Sequence, residues 1–295
     1  MNRMSPRKKG LLELNIAVLF FSVSALFPKI MTVPVILIVL GRVVVAAVTL
    51  RLMLLFSRQP LRIQSKKDYG VFALLGLLFS INIFSFYKSI QVSTVAIGVL
   101  TAGIFPVVVS LLEPWYFKER FRWIDLVLAL TAFGGLLLIV PSFNIHQKIV
   151  QGIFWGALAA LTFANFSIIN RKYVQKYSSL VIVFYQDLLA SLILLPALFY
   201  TRVSLHWHDI LLILLLGTVL TAGSHTLFVK GLTHVKARTA GMILMLEPLY
   251  GILFAFFLIG EKPNARTLLG GALVLAATLY ATLHATHEEI MPVPE

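Results

Sequence analysis

The amino-acid sequence predicts an all-α integral membrane protein with ten transmembrane helices, arranged as two inverted five-helix repeats. The first observation is composition, because 59% of the 295 residues are hydrophobic and only 13% are charged. A water-soluble domain of this length has too little interior to bury so much apolar surface. The second is a series of apolar runs of about 20 residues, the length that crosses a bilayer as a helix. The third is a set of charged and proline residues that recurs at one fixed spacing.

The first half of the chain contains five apolar runs. The predicted spans are Leu11–Met31, Val33–Phe56, Tyr69–Ile90, Val92–Pro114 and Trp123–Val140. A very short turn joins the third and fourth spans, and the fifth stops at Pro141 because proline lacks the backbone donor that a helix interior requires. The first span, behind a basic N-terminus, also has the outline of a signal peptide, but its apolar run continues beyond a poor cleavage site at Ala25.

The second half repeats this layout after a short polar linker. The predicted spans are Ile149–Asn170, Ser178–Tyr200, Asp209–Lys230, Thr239–Ile259 and Thr267–His284. The connections are too short to hold a soluble domain. The sequence therefore predicts a cytoplasmic N-terminal segment at 1–10, a first repeat at 11–141, an external linker at 142–148, a second repeat at 149–284 and a cytoplasmic tail at 285–295.

Lysine and arginine are concentrated on one side of the predicted membrane. With a cytoplasmic N-terminus, the cytoplasmic segments carry 17 of the 25 Lys and Arg residues, the external loops carry six, and Arg42 and Arg51 lie inside span two. Because cytoplasmic loops are enriched in these residues, the bias predicts cytoplasmic N- and C-termini, in what we expect to be a bacterial inner membrane. The same asymmetry explains the net charge of +13 without a nucleic-acid partner.

The two halves share landmarks at an offset of 142 residues. Lys88 falls on Lys230 and Pro106 on Pro248, and the segments from Lys88 to Glu119 and from Lys230 to Glu261 align without a gap. Each half holds five predicted spans, an odd number, so the second half enters the membrane in the opposite sense. Inverted repeats around a site near the membrane midplane are typical of secondary transporters, which rock between two related conformations.

These residues carry a family resemblance. Phe105-Pro106 precedes Glu119-Arg120 by the same interval that separates Glu247-Pro248 from Glu261-Lys262, Arg42 lies in the second span, and a short turn at Ile90–Ser93 joins spans three and four. With these features, the chain resembles the EamA-type branch of the drug/metabolite transporter superfamily over nearly its whole length. The resemblance implies ten helices in two inverted repeats, a central cavity and small-molecule transport by alternating access. Glu119 and Glu261 match a glutamate of the family that we interpret as structural.

Glu247 is the main candidate for substrate binding or coupling. It lies within an apolar run, and a carboxylate at such a depth normally faces a polar interior or a cavity because hydrocarbon disfavours the charged form. Pro248 removes a backbone donor beside it and leaves the carbonyl of Leu244 without its usual helical partner. The alternative is a protonated glutamate that hydrogen-bonds a neighbouring helix. Pro106 and Pro248 are predicted to let spans four and nine bend during transport.

Four other polar residues inside predicted spans are candidates for the same site. Arg42 has the alternatives of a structural ion pair or a ligand contact, and Gln186 lies beside Asp187 near the matching place in the second repeat. His225 is deep in span eight and has the alternative role of a hydrogen-bonded packing residue. Asn82 in span three either lines a polar path or bonds across helices.

Lys88 and Lys230 depart from the usual pattern of the family, which has an apolar or small residue at these places. They lie about one turn before the ends of spans three and eight. One interpretation is that each amine reaches the lipid headgroups while its stem stays in hydrocarbon. The other is a pair of cationic gates that favours an anionic or zwitterionic substrate.

The function predicted from these features is secondary transport of small polar, amino-acid-like metabolites by alternating access, with protons as a candidate coupling ion. The alternative is an organic-anion or phosphometabolite exchanger that uses Arg42, Lys88 and Lys230 as counter-charges. An enzyme is disfavoured because no nucleophile–base set or acid pair shares one depth. With no cysteine and only a two-histidine motif in an outer loop, no metal site and no cofactor are predicted. The predicted partners are the lipid bilayer and the small-molecule substrate.

Overall fold

The computed structural model describes residues 5–61, 63–117, 123–139, 147–201, 205–235, 240 and 243–288. All regular elements within these residues are helical. The α-helices are α1 Pro6–Ser24, α2 Phe27–Ile30, α3 Val35–Phe56, α4 Lys66–Val92, α5 Val95–Ala102, α6 Phe105–Phe117, α7 Trp123–Ile139, α8 Lys148–Tyr173, α9 Ser179–Leu194, α10 Trp207–Gly217, α11 Ser224–Gly231, α12 Leu246–Ile259 and α13 Ala265–Glu288. A 3-10 turn, Leu195–Phe199, extends α9, and a π-helical turn, Thr218–Gly223, joins α10 to α11.

The prediction of an all-α membrane protein is confirmed. In the described residues, seven helical segments are long and apolar enough to cross a membrane, and three apolar helices are shorter. The seven segments are Lys8–Ile30, Val35–Phe56, Lys66–Val92, Val95–Leu112, Lys148–Tyr173, Ser179–Phe199 and Trp207–Gly231, and the three are Leu126–Ile139, Leu246–Ile259 and Ala265–Ala277. Together they follow the ten predicted spans in order. Because three are shorter than a full crossing, the number of ten transmembrane helices stays a prediction.

Spans four and nine are each interrupted by a turn within the described residues. In span four, α5 ends at Ala102 and α6 begins at Phe105, so Gly103 and Ile104 form a turn inside the apolar run. In span nine, a turn at Met245 precedes α12. Non-helical backbone at membrane depth is tolerated where protein buries it or where it lines a cavity. Both interruptions therefore point to the interior of the helix bundle.

Two polar side chains fix the beginning of α5 beside the short turn after α4. Thr94 caps α5 by accepting a hydrogen bond from the Ile97 amide (3.1 Å). The Glu261 carboxylate also accepts hydrogen bonds from the Val95 and Ala96 amides, both at 3.0 Å. These contacts satisfy helix amides that have no partner within the helix. Glu261 therefore ties the chain after α12 to the start of α5, which agrees with its predicted structural role.

Helices of the two halves pack against each other in antiparallel pairs. The Asn82 side chain of α4 donates to the Ala159 carbonyl of α8 (2.8 Å), and Ser89 donates to the Gly152 carbonyl (2.6 Å), so residue numbers rise along α4 as they fall along α8. α1 packs on α11, which is the same pair after the halves are exchanged, and α3 packs on α9. This packing has the relation expected of two inverted repeats.

Candidate functional site

A cavity of about 70 Å³ lies between the two halves of the molecule. Its lining comes from α1, α3, α4, α5 and α6 of the first half and from α8, α11 and α12 of the second. This volume exceeds the roughly 10–15 Å³ that one water molecule requires. Four of the residues predicted to bind substrate contribute to the lining: Arg42, Asn82, His225 and Glu247. Pro248 lines the cavity as well, beside Gly103 of the turn in span four.

Arg42 reaches the cavity from α3 and is almost completely buried, with 2% of its surface exposed. Its Nε donates a hydrogen bond to Thr221 Oγ1 of the π-helical turn (2.9 Å). The guanidinium carbon lies 4.9 Å from the centre of the Tyr87 ring, a cation–π distance. Tyr87 is itself fixed, because its hydroxyl donates to the Ser24 carbonyl (2.9 Å). One donor and the face of the guanidinium are thus held by protein, and no acceptor among the described residues holds the terminal nitrogens.

Glu247 is the second residue of α12 and lines the cavity with partial exposure. Ser22 of α1 donates to its backbone carbonyl (3.3 Å), and within the described residues its carboxylate has neither a hydrogen bond nor a salt bridge. The carboxylate lies at the N-terminal end of a helix, where the helix dipole favours negative charge. Pro248 follows in the first helical turn, where its missing N–H has no partner within the helix in any case.

His225 and Asn82 occupy different positions in the cavity wall. The His225 ring packs edge-on against Phe21 (4.9 Å) and Phe79 (4.8 Å), and its Nδ1 is buried without a hydrogen-bond partner in the described part of the chain. Asn82 uses its amide nitrogen to bind the α8 backbone at Ala159. His225 and Asn82 therefore both pack against neighbouring helices and line the cavity.

The remaining predicted residues lie outside the cavity lining. Lys230 forms a salt bridge with Glu13 of α1 (3.0 Å), and Lys88 is half-buried near the end of α4. Gln186 donates to the Asn170 side chain (2.6 Å). Pro106 is buried as the second residue of α6, next to the lining residue Phe105. Glu119, the counterpart of Glu261, lies outside the described residues.

The structure adds residues that the sequence did not single out. Four aromatic side chains complete the cavity: Phe21, Phe86, Phe105 and Phe163. The sequence could not predict these four residues. The chain has 22 phenylalanines, and the sequence does not distinguish those that face lipid from those that face a cavity. Thr221 and Tyr87, which hold Arg42, were also not predicted. They could have been found as polar residues deep inside apolar runs, since such residues usually face the protein interior.

A polar network joins the two halves at the end of the molecule that the charge bias predicts to be cytoplasmic. Asp68, near the start of α4, accepts hydrogen bonds from Lys176 (2.5 Å), Tyr177 and Tyr173 of the second half. The Gln64 amide also donates to the Tyr177 hydroxyl (2.9 Å). The bond with Asp68 raises the pKa of Lys176, which lies outside the predicted spans, so its ammonium group stays charged. This Asp68 network ties the two halves together at one end.

One family model matches both halves of the chain and so identifies the family. The EamA-like transporter family matches residues 8–140 and again residues 150–283. The chain belongs to the EamA-like transporter family. The members of this family are multi-pass membrane proteins built from two repeats, which agrees with the antiparallel packing of α4 on α8. Both the resemblance and the fold class predicted from sequence are thus confirmed, whereas the predicted domain boundaries stay predictions.

Individual EamA-like relatives are named as transporters. The chain is 26% identical over 213 residues to the S-adenosylmethionine uptake transporter of Rickettsia prowazekii (strain Madrid E), which covers 71% of this chain and 70% of that protein. It is 32% identical over 211 residues to an uncharacterized transporter of Archaeoglobus fulgidus, covering 70% and 75% of the two chains. A solved crystal structure aligns with 98% of this chain at a TM-score of 0.67 and 16% identity, a likeness that concerns the fold alone. The family and these names point to a membrane transporter of small metabolites, not to an enzyme.

Proposed function

We propose that this EamA-like protein is a secondary transporter of amino-acid-like zwitterions that works by alternating access. One observation carries the proposal. Arg42 and Glu247 line the same cavity with groups that carry opposite charges when ionised, yet among the described residues neither forms a salt bridge. An unpaired charge in a medium of low polarity is unfavourable. A ligand with one carboxylate and one ammonium group compensates both charges at once, with the carboxylate on the Arg42 fork and the ammonium on Glu247.

The aromatic part of the cavity narrows the substrate class. Phe21, Phe86, Phe105 and Phe163 surround the charged pair with apolar faces. Such faces bind aromatic rings by stacking and attract cations through the ring quadrupole. S-adenosylmethionine combines an α-amino acid, a sulfonium cation and an adenine ring, so it matches all of these groups. Since relatives at 25–26% identity are named S-adenosylmethionine uptake transporters, this compound is the first substrate to test.

The position of the cavity supports the proposal of alternating access. Both halves contribute to its wall, and inverted repeats that rock around a shared site open it to each side in turn. An anion exchanger is less well supported by the geometry, because Arg42 lines the cavity while Lys230 is bound to Glu13 and Lys88 lies elsewhere. We place the protein in a bacterial inner membrane with both termini cytoplasmic, on the basis of the charge bias.

Uptake by purified protein in liposomes tests this function. We expect radiolabelled S-adenosylmethionine to exchange across the membrane, and unlabelled amino acids to compete better than organic anions. Glu247→Gln keeps the size of the side chain but removes its charge. Because hydrogen bonds to charged groups contribute about 1.5–3 kcal/mol, the affinity of the variant should fall about 10- to 100-fold.

Glu247→Asp is the matched control, because it retains the carboxylate and should keep part of the exchange activity. Wild-type exchange by Glu247→Gln would return Glu247 to a packing role. Strong competition by organic anions without competition by amino acids would favour the anion exchanger instead.

A further inference from the structure

A groove of about 600 Å³ lies at the surface of the helix bundle, apart from the central cavity. It is lined by α4, α6 and α8, and α8 packs on both of the other helices. Its walls include Leu74 and Tyr116, which are 44% and 47% exposed, so this α8 groove opens to the surroundings of the bundle. Of the described residues, none lines both the groove and the cavity. The groove is therefore a separate place for a ligand.

The side chains along the α8 groove divide into an apolar part and a basic end. The apolar part is formed by four aliphatic residues of α4 and α8: Val71, Leu74, Ile168 and Ile169. Arg171 and Lys172, in the last turn of α8, form the basic end, and none of the described lining residues is acidic. The basic end begins the loop that the charge bias predicts to be cytoplasmic, whereas the aliphatic residues lie inside predicted spans. A cation at the membrane surface above apolar side chains matches a lipid with an anionic headgroup.

Two tyrosines give the groove a fixed shape. The Tyr116 hydroxyl of α6 donates a hydrogen bond to the Asn165 side chain of α8 (2.8 Å). The Tyr173 ring contacts Phe72 edge-on, with 6.3 Å between ring centres, and stacks on Tyr177 at 6.4 Å. Tyrosine is enriched where a membrane meets water, because its ring is apolar and its hydroxyl is polar. The groove is thus preformed at the depth of the lipid headgroups.

The acidic residue nearest in the hydrogen-bond network does not neutralise the basic end. Asp68 accepts a hydrogen bond from the Tyr173 hydroxyl (3.4 Å). Its carboxylate is already paired with Lys176, which does not line the groove. The positive charge of Arg171 and Lys172 is therefore not offset by Asp68.

We propose that the α8 groove binds one anionic phospholipid of the cytoplasmic leaflet. The headgroup phosphate lies at Arg171 and Lys172, and part of an acyl chain follows the aliphatic residues. Arginine binds phosphate oxygens through two parallel hydrogen bonds, and lysine adds a point charge. A volume of about 600 Å³ falls in the range of roughly 300–1,000 Å³ that is usual for ligand sites. This inference does not depend on which substrate the protein carries.

Other occupants fit the groove less well. A free phosphate ion has no apolar part for the four aliphatic side chains. A second copy of this chain in a symmetric contact would present the same surface patch, and with it a second pair of basic side chains. The segment 118–122, which follows α6 in the sequence, has three basic residues and one acidic residue, so its net charge has the same sign as the basic end. Charge complementarity therefore favours an anionic lipid.

A lipid in this groove contacts both halves of the molecule, because α4 belongs to the first half and α8 to the second. A ligand that binds only the folded protein stabilises it. The lipid should therefore raise the unfolding temperature of the detergent-solubilised protein. This effect gives a second measurement that needs no transport assay.

Native mass spectrometry of the purified protein, titrated with phosphatidylglycerol or with phosphatidylcholine of the same acyl chains, tests the proposal. We expect wild type to bind one phosphatidylglycerol more tightly than phosphatidylcholine. The double variant Arg171→Gln/Lys172→Gln should bind phosphatidylglycerol about 25-fold more weakly, since each basic residue near an anionic lipid contributes about fivefold. Lys8→Gln/Lys9→Gln is the matched control, because it removes two exposed charges of α1 from the same predicted membrane face. It should bind as wild type does.

A second pair of variants tests the apolar part with all charges intact. Leu74→Trp fills the groove and should weaken phosphatidylglycerol binding about 5- to 100-fold, the usual effect of one bulky group in a filled space. Leu77→Trp is its control, because Leu77 is similarly exposed on α4, at 42%, and does not line the groove. Phosphatidylglycerol should raise the unfolding temperature of wild type and of both controls, but not that of Leu74→Trp or of the Arg171 and Lys172 variant.

Several results would overturn the proposal. Equal affinity of wild type for the two lipids would remove the role of the basic end. An equal loss in Lys8→Gln/Lys9→Gln would show that total charge acts rather than a site. Displacement of the lipid by soluble glycerol phosphate at similar concentration would indicate a site for a free anion. A dimer that dissociates only in Leu74→Trp would identify the groove as a contact between two copies of the chain.

Discussion

Arg42 is buried in a membrane helix, yet within the described residues only its Nε donates a hydrogen bond, while the guanidinium face lies over the Tyr87 ring. The remaining donors form a planar fork beside the cavity, a geometry that matches a carboxylate in two parallel hydrogen bonds. A lysine at this position would supply the charge without the fork. Replacing Arg42 by lysine therefore tests whether Arg42 recognises the substrate carboxylate by its geometry or only supplies a positive charge.

Arg42→Lys should weaken binding of S-adenosylmethionine about 10- to 100-fold while leaving the protein folded, because one charge-assisted hydrogen bond contributes about 1.5–3 kcal/mol. Binding of labelled substrate to detergent-solubilised protein measures the loss. Arg266→Lys, at the exposed start of α13, is the matched control and should bind as wild type does. Equal affinity of Arg42→Lys and wild type would show that only the charge matters.

The polar residues of the site could be predicted from the sequence, whereas the shape of the cavity could not. Arg42, Asn82, His225 and Glu247 were identifiable because polar side chains inside apolar runs face the protein interior. The pairing of Lys230 with Glu13 was not, because it depends on how α1 and α11 pack. The sequence also left open whether Gln186 and Asp187 orient a substrate or face a membrane interface, and the structure buries both outside the cavity lining.

At the scale of the helix, α8 approaches its neighbours so closely that glycine is required. A Cβ atom on Gly156 would lie 2.6 Å from Thr101 Cβ, and one on Gly152 would lie 2.5 Å from Ser93 Cβ. These contacts join α8 to α5 and to the short turn after α4. Small residues let membrane helices approach until their backbones are nearly in contact. The close packing of α8 on α5 and on the turn after α4 therefore depends on glycine at these two positions.

Gly156→Ala should destabilise the protein by about 1–3 kcal/mol, the usual effect of forcing an extra group into a packed interior. Gly134→Ala in α7 is the matched control, because a Cβ there meets nothing within 4 Å. Alanine suits a helix better than glycine, so the control should be stabilised by about 0.5–1 kcal/mol. Unfolding of the detergent-solubilised proteins, followed by circular dichroism, measures both changes. Equal effects would contradict the close packing of α8.

The order of the helices was predictable, but their interruptions were not. An apolar run of about 20 residues indicates a span because the bilayer requires that length. The same run does not give the position of the turn at Gly103 and Ile104, although Pro106 nearby marks span four as a helix that bends. The π-helical turn Thr218–Gly223 has no such mark, and tertiary packing decides where it forms.

At the scale of the whole molecule, the two halves form one bundle by pairing a helix from each. α4 packs on α8, α1 packs on α11, and α7 packs on α13. The predicted orientation in the membrane rests on the distribution of Lys and Arg. Because the chain has no cysteine, single cysteines report on that orientation without background.

Cysteines at Ser65 and Ser178 should be shielded from a membrane-impermeant maleimide added to intact cells, since both positions lie in predicted cytoplasmic loops. Cysteines at Ser142 and Ser204, which lie outside the described residues, should react. Labelling after permeabilisation is the control that the shielded positions are accessible from the other side. Reaction at Ser65 in intact cells would reverse the predicted orientation.

The Asp68 network makes the two ends of the molecule unequal. Tyr173 and Tyr177 correspond, 142 residues earlier, to the apolar Met31 and Val35. The opposite end is joined differently, by the Glu261 carboxylate on the Val95 and Ala96 amides. The conformations that keep one end or the other closed therefore break different hydrogen bonds and differ in free energy. A molecule built from two related halves thus has two states of unequal population.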